Sequence, residues 1–360
     1  MTTHHRGLRP ALLATSALLI SGLLAACGSS DNGNESTELA PVSLPPAEGT
    51  TQYPLTIDTQ WGETTIDERP ERIVAGTTGD VDLMAALDVT PIGADELIEL
   101  TAYTTKQLRG EVAATWDTGE VLYPLEPIAA TDPDLMVISS VVDKPDNYDE
   151  LSNLAPVVGP EPTEEGTPTW QERIRQLGLV LDLQERAEQV IADNGAYFER
   201  VRAEHPEFAD MTIALLHFWG GDYGAAYLST PGSGSERLFT ELGFPPNPDA
   251  ARFAGTDELS VELVGSIEAD IVVITDASDA PDEFRAFVDQ PLFQNLDAVK
   301  SGRLVELVTH GYGDITIGDK VIAEDFGHFG WAINGDNGPV PLQALASFFV
   351  PALATVASTR

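Results

Sequence analysis

The chain has 360 residues, which at about 150 residues per domain points to two domains. Hydrophobic residues make up 42% and charged residues 21%, a globular composition that excludes a disordered or collagen-like chain. Against 58 Asp and Glu stand only 19 Lys and Arg, for a formal net charge of −39. Such a chain repels phosphate backbones, which argues against nucleic acid and against holding anionic lipid by charge alone. The single cysteine excludes an intrachain disulfide framework and a Cys-rich zinc site.

The chain opens with His4, His5, Arg6 and Arg9, then runs apolar or small from Ala11 to Ala26 without a charge. Those 16 residues fall short of the roughly 20 that span a bilayer. A basic start, an apolar run and small residues at its end describe a secretory signal over 1–26. The only cysteine, Cys27, follows Leu24-Ala25-Ala26 directly, which resembles the lipobox of bacterial lipoproteins. That resemblance implies a diacylglyceride on Cys27 and a protein lipid-anchored to the cell membrane on its extracytoplasmic face. Losing 1–26 removes two arginines and no acid, taking the charge from −39 to −41. Residues 28–50 are rich in Gly, Ser, Asn, Pro and Glu and cannot bury enough surface to fold. A flexible tether is expected over 27–54.

The body then alternates strands and helices. Residues 71–76 read as a buried strand ending in glycine, followed by a helical pattern carrying Val81, Met84, Ala85 and Leu87. Residues 91–94 and 134–139 read as further strands. This alternation predicts βαβ units and a mostly parallel sheet. After Pro168 the character changes. Asp182-Leu183-Gln184-Glu185 has the form of a capping box, and Leu183, Ala187, Val190, Ile191, Asn194 and Phe198 recur at helical steps until Pro206. A second α/β series follows, with strands expected at 211–216, 269–275 and 303–308 and a helix carrying Leu238, Phe239 and Leu242 before Gly243. A last apolar element, 342–356, is expected to pack on this second half.

An internal repeat links the halves. Setting Glu126 against Glu262 aligns 14 residues without a gap, with Asp134/Asp270, Val137/Val273 and Ile138/Ile274 also identical. In both copies a short helix with Glu in its first turn leads to a buried strand ending in Ser or Thr. Two such copies suggest two lobes of like topology.

With these stretches in place the chain resembles a substrate-binding lipoprotein of an ABC importer, in the ferric-siderophore and cobalamin binding family. The resemblance rests on RPERIVAG with DLMAALDVTPIGAD, EPIAATDPDLMVIS, YDELSNLAPVV, LSVELVGSIEADIVVIT and PLFQNLDAVKSGRLVEL, in that order, and covers about 65–357. It implies an α/β fold of two Rossmann-like lobes joined by a single long rigid helix. The expected boundaries are 55–181 for the first lobe, 182–205 for the helix and 206–360 for the second lobe. It also implies that Glu126 and Glu262, one per lobe, dock on the permease dimer, whose ATPase supplies the work. A Glu in a first helical turn also complements the helix dipole, and the repeat favours docking over that plainer role. A monomer is expected in solution.

Ligands of open α/β sheets lie outside the carboxyl ends of the strands. The candidate first-lobe positions are Thr78 in Thr77–Asp80, Trp116 beside Asp117, and Ser140 in Ser139–Val141. In the second lobe they are His217, Trp219 and Tyr223, then Arg252 and Phe253, then His310 and Tyr312. Beyond the signal the chain has only four lysines, Lys106, Lys144, Lys300 and Lys320, and the candidate loops hold Arg252 against Asp80, Asp117 and Asp222. An anion buried beside those acids would be costly, whereas aromatic faces suit a neutral or cationic ligand. A ferric siderophore of hydroxamate type is therefore expected over a catecholate, with no resident cofactor and no metal site. The residues leave haem and cobalamin open, and the widely spaced His205, His217, His310 and His328 leave room for a direct metal-ion receptor. An enzyme is disfavoured: the chain lacks G-x-S-x-G, H-E-x-x-H and G-x-x-x-x-G-K. A surface adhesin would need neither hinge helix nor cleft.

Overall fold

The structure, a computed structural model, describes residues 43–117, 122–139, 141, 143–163, 168–221, 223–256, 258–278, 280–335 and 338–359, all within one compact unit. The signal sequence, Cys27, Ser140 and Asp222 lie outside the described residues.

Strands β1 (Leu55–Thr59) and β2 (Gly62–Ile66) form an antiparallel hairpin. Ile57, Thr59, Thr64 and Ile66 alternate inward, the period of a half-buried ribbon. The first lobe is a parallel sheet of β3 (Ile73–Ala75), β4 (Gly93–Asp95), β5 (Ala114–Trp116), β6 (Leu135–Val137) and β7 (Val157–Val158), in the order β5-β4-β3-β6-β7. The central strands β3 and β6 are buried throughout, which is why they read as unbroken apolar runs.

The second lobe contains β8 (Ile213–Gly220), β9 (Gly224–Tyr227), β10 (Ile271–Asp276), β11 (Leu304–Thr309), β12 (Ile315–Ile317) and β13 (Lys320–Ala323). Their order is β13-β12-β11-β10-β8-β9. The parallel centre β8-β10-β11 is flanked by antiparallel β9 on one side and by β12 and β13 on the other.

The internal repeat has a physical basis. Asp134 accepts the backbone N–H groups of Glu71 (2.7 Å) and Arg72 (2.8 Å) just ahead of β3. Asp270 accepts the N–H (2.8 Å) and hydroxyl (3.0 Å) of Thr212 just ahead of β8. Each aspartate also donates its own N–H to the neighbouring carbonyl, Arg72 or Thr212, at 3.0 Å. The repeated acid thus ties the start of one parallel strand to the next in both lobes.

The connecting helix spans Gln184–Glu204, about 32 Å at 1.5 Å per residue. It buries Ala187, Asn194, Phe198 and Val201. The capping box expected at Asp182 does not form. Asp182 sits at φ 56° and turns its carboxylate away to accept the N–H groups of Gly49, Thr50 and Thr51 at 2.8–2.9 Å. The helix start is capped instead by Glu48, whose carboxylate accepts from Glu185 N (2.7 Å) and Arg186 N (2.9 Å). Residues 43–54, which composition assigned to a tether, are therefore a strap fastened to the body. Arg69 also donates to Pro45 O, and Thr90 N to Ser43 O.

The last helix, Pro339–Ala357, is long and apolar enough to cross a membrane by composition. Here Leu342, Leu345, Phe348, Phe349 and Leu353 are buried in a core shared with Leu83 of the first lobe and Leu238 of the second. It packs on both halves, not on the second alone. Beside it the lobes touch through backbone: Tyr103 N donates to Phe326 O (3.1 Å) and His328 N to Leu100 O (2.7 Å). Gly327, at φ 98°, makes this approach possible, since a Cβ there would lie 2.6 Å from Leu100 O.

Candidate ligand-binding cleft

A cavity of about 370 Å³ opens between the lobes. Its first-lobe wall comprises Thr77, Thr78 and Gly79 after β3, Asp82 on the helix Thr78–Ala86, and Leu97 just beyond β4. Tyr103 adds an aromatic edge. Facing them are Gly330, Trp331 and Asn334 of the helix Phe329–Asn334, with Pro341 of the last helix. The cavity thus lies at the carboxyl ends of β3 and β4, where an open parallel sheet leaves a crevice.

The first-lobe wall is acidic. Thr77 caps its helix and donates its hydroxyl to Asp80 (2.8 Å), which also accepts the N–H (3.0 Å) and hydroxyl (2.7 Å) of Ser139 at the end of β6. Asp82 accepts from the Thr104 hydroxyl. Burial pushes both carboxyls up, Asp82 to about 7, while their hydrogen bonds and the buried Arg173 guanidinium pull the other way.

On the second-lobe side one aromatic ring, Trp331, lines the cavity and belongs to a larger cluster of rings. Trp331 stacks on His328 with ring centres 4.2 Å apart, and Tyr312 lies 5.1 Å from His328. His328 accepts from Trp331 N (3.3 Å), capping its helix. Nearby, His217 is buried under Trp219 (4.0 Å between ring centres) and parallel to Phe329. Its Nδ1 meets the Thr275 hydroxyl at 2.5 Å, while Nε2 has no hydrogen-bond partner among the described residues. Burial, and then the neighbouring His328, lower the His217 pKa to about 4, so the ring is neutral at pH 7. Burial also lowers His328.

The candidates from sequence divide. Thr78 lines the cavity, and the aromatic cluster brings in His217, Trp219 and Tyr312. Tyr223 is 73% exposed beyond β8. His310 is exposed on the β11–β12 turn and pairs with the Thr316 hydroxyl. Trp116 does not face the cleft; it is buried beneath β4, where its ring fills the space a Cβ on Gly93 would need. Phe253 is likewise a core residue, stacked on Tyr227. Arg252 pairs with Asp249 and Ser266, which border an opening at the amino ends of β8 and β10, the wrong end for this cleft. Sequence reading missed Asp82, Tyr103 and Trp331 and saw His328 only as an isolated histidine. A His-x-x-Trp pair opening a helix was the available signal for the last two.

Glu126 and Glu262 are both exposed, each in the first turn of a short helix, Leu125–Ala130 and Val261–Val264. Among the described residues no group of three or more His, Cys, Asp or Glu side chains is arranged to hold a metal ion.

Two open α/β lobes with a crevice between them define a body built to hold a small molecule. Residues 73–309 match the periplasmic binding protein family, and the chain belongs to it. It is 24% identical over 266 residues to the ferric-anguibactin-binding protein FatB of Vibrio anguillarum, covering 71% of this chain and 80% of that one. It is 25% identical over 258 residues to the probable siderophore-binding lipoprotein YfiY of Bacillus subtilis, covering 67% and 76%. A periplasmic solute binding protein from Mycobacterium smegmatis has the same fold, with a TM-score of 0.63 at 23% identity over 84% of this chain and 98% of that one.

Proposed function

We propose that the protein is the lipid-anchored binding component of an ABC importer, capturing a ferric siderophore of hydroxamate type and delivering it to the permease. The observation that carries the ligand class is the cleft: Asp82 and the rings of Tyr103 and Trp331 line it, and no Lys or Arg is among the described cavity-lining residues. A tricatecholate chelate, strongly anionic, would meet Asp82 without a compensating cation. Similarity to a ferric-anguibactin-binding protein and to a probable siderophore-binding lipoprotein supports the iron-chelate reading. The body performs capture without chemistry, as one monomer. Shared core and backbone contacts between the lobes favour a preformed site over a large closure.

Anchoring is assigned to Cys27 and docking to Glu126 and Glu262, one exposed carboxylate on each lobe for a two-fold partner. Titration of the purified protein with ferric hydroxamates and ferric catecholates, followed by tryptophan fluorescence, tests the ligand class. Saturable quenching by hydroxamates alone is expected, with Trp331 and Trp219 as reporters. Tighter catecholate binding would overturn the charge argument, and a response to haem alone would replace the siderophore reading. Glu126→Ala with Glu262→Ala should stop uptake by cells and leave chelate affinity within about twofold, because exposed rim carboxylates contribute little to a distant site.

A further inference from the structure

The polar wall of the cleft has an unbalanced charge. Asp80 and Asp82 are 0% and 6% exposed, and Arg173, at 1%, is the cation that acts electrostatically on both. Asp80 is saturated by Ser139 and Thr77. Asp82 differs: it lines the cavity, and Thr104 is its one hydrogen-bond donor among the described residues. Among the described residues, two carboxylates against one guanidinium leave about one negative charge beside the cavity when both are ionised, held away from water. Trp331 also lines the cavity, and the face of its ring that His328 does not cover can attract a cation.

We propose that the cleft selects ferric hydroxamate chelates that carry a cationic group, a protonated amine held between Asp82 and the ring of Trp331. This rests on the ferric-chelate reading above and adds the charge of the cargo. An ammonium donates to the open side of the Asp82 carboxylate and completes the charge balance that Arg173 leaves unfinished. A neutral chelate of the same shape leaves Asp82 facing the cavity unpaired, and an anionic one is repelled. Asp82 is thereby a specificity residue: it ranks chelates by charge, while Leu97, Tyr103 and Trp331 accept their bulk.

The test uses three ferric complexes of one linear trihydroxamate: with its terminal amine free, with that amine acetylated, and with it succinylated. Binding to the purified protein is measured by calorimetry at pH 7.5. The free amine should bind about tenfold tighter than the acetylated form, the scale of one partly buried charge pair, and the succinylated form should bind weakest. Asp82→Asn should bring the amine and acetyl affinities within about twofold of each other, and Trp331→Leu should narrow the same gap by a smaller factor. The wild-type ranking needs no variant, so a poorly folded mutant does not blunt the experiment. Equal binding of amine and acetyl forms by the wild-type protein overturns the cation inference and leaves the siderophore reading standing. A tenfold preference that survives in Asp82→Asn overturns the role of Asp82. Binding of none of the three overturns both readings together.

Discussion

The two lobes share a framework and differ in the chemistry mounted on it. In each, a repeated aspartate ties the start of a parallel strand to its neighbour. In each, the strand that follows ends in a hydroxyl directed at a buried titratable side chain. In the first lobe Ser139 donates to the carboxylate of Asp80; in the second Thr275 meets the imidazole of His217. One position thus supports a buried acid in one lobe and a neutral aromatic ring in the other. The aspartate at the amino ends of the strands is the same in both lobes, whereas the residues at the carboxyl ends differ.

That comparison can be broken most severely at the contact between the lobes. Gly327→Ala forces a side chain into a left-handed backbone and against Leu100 O. It should cost about 2–4 kcal/mol in denaturant unfolding. A loss below about 1 kcal/mol would mean that the lobes part easily at this seam.

The next test is pH, where the two walls should respond with opposite sign. His217 titrates at about 4 in the folded protein against an ordinary value of 6.5, so its stabilising effect is present above 6.5 and fades as pH falls through 4. It is worth about 3 kcal/mol at most. Asp82 titrates at about 7 against an ordinary 3.8, so its contribution is present below 3.8 and lost as pH rises through 7. His217→Asn should therefore fall further behind wild type in melting temperature as pH rises from 4 to 7. Asp82→Asn should gain on wild type over the same range, and parallel curves for the two variants would refute the contrast. The smallest effect concerns the shared framework: Asp134→Ala and Asp270→Ala should each lose about 1–2 kcal/mol, by amounts alike within about 0.5 kcal/mol.

Much of the fold was legible because buried parallel strands advertise themselves. Ile73–Ala75, Leu135–Val137 and Ile271–Asp276 are buried on both faces and apolar but for Thr275 and Asp276 at the last strand's end, the pattern of central parallel strands. The β1–β2 hairpin escaped notice because half of its inward positions are threonines, Thr59 and Thr64, which lack the apolar alternation of a typical ribbon. The false capping box at Asp182 shows a local pattern overruled by a distant partner: three amides from 49–51 outcompete the helix start for one carboxylate. In the cleft, Thr78 was reachable by the rule that ligands sit beyond strand ends, and the same rule reached His217, Trp219 and Tyr312 in the ring cluster that includes Trp331 and Phe329. Asp82 was not, because a lone acid in a helix reads as solvated; only packing shows Asp80 through Ala85 buried without a break. Trp331 and His328 follow an antiparallel strand, outside the reach of that rule. Arg252 and Phe253 were expected in a ligand loop of the second lobe, yet Arg252 pairs at the amino edge of the sheet and Phe253 lies in the core.

The strap of residues 43–54 also sets how the molecule bears load. Any pull on the chain upstream of Ser43 meets first the Ser43–Thr90 and Pro45–Arg69 contacts, then the crossed carboxylates of Glu48 and Asp182. Burial alone would raise the Asp182 pKa, but the amides of Thr51, Gly49 and Thr50 and the Thr50 hydroxyl hold it down to about 2, so the latch stays charged except in strong acid. Tension enters the body at the start of the connecting helix, at the amino end of β4, and not through the strand ends that shape the cavity. A pull on the strap is thus taken up away from the residues that line the cavity.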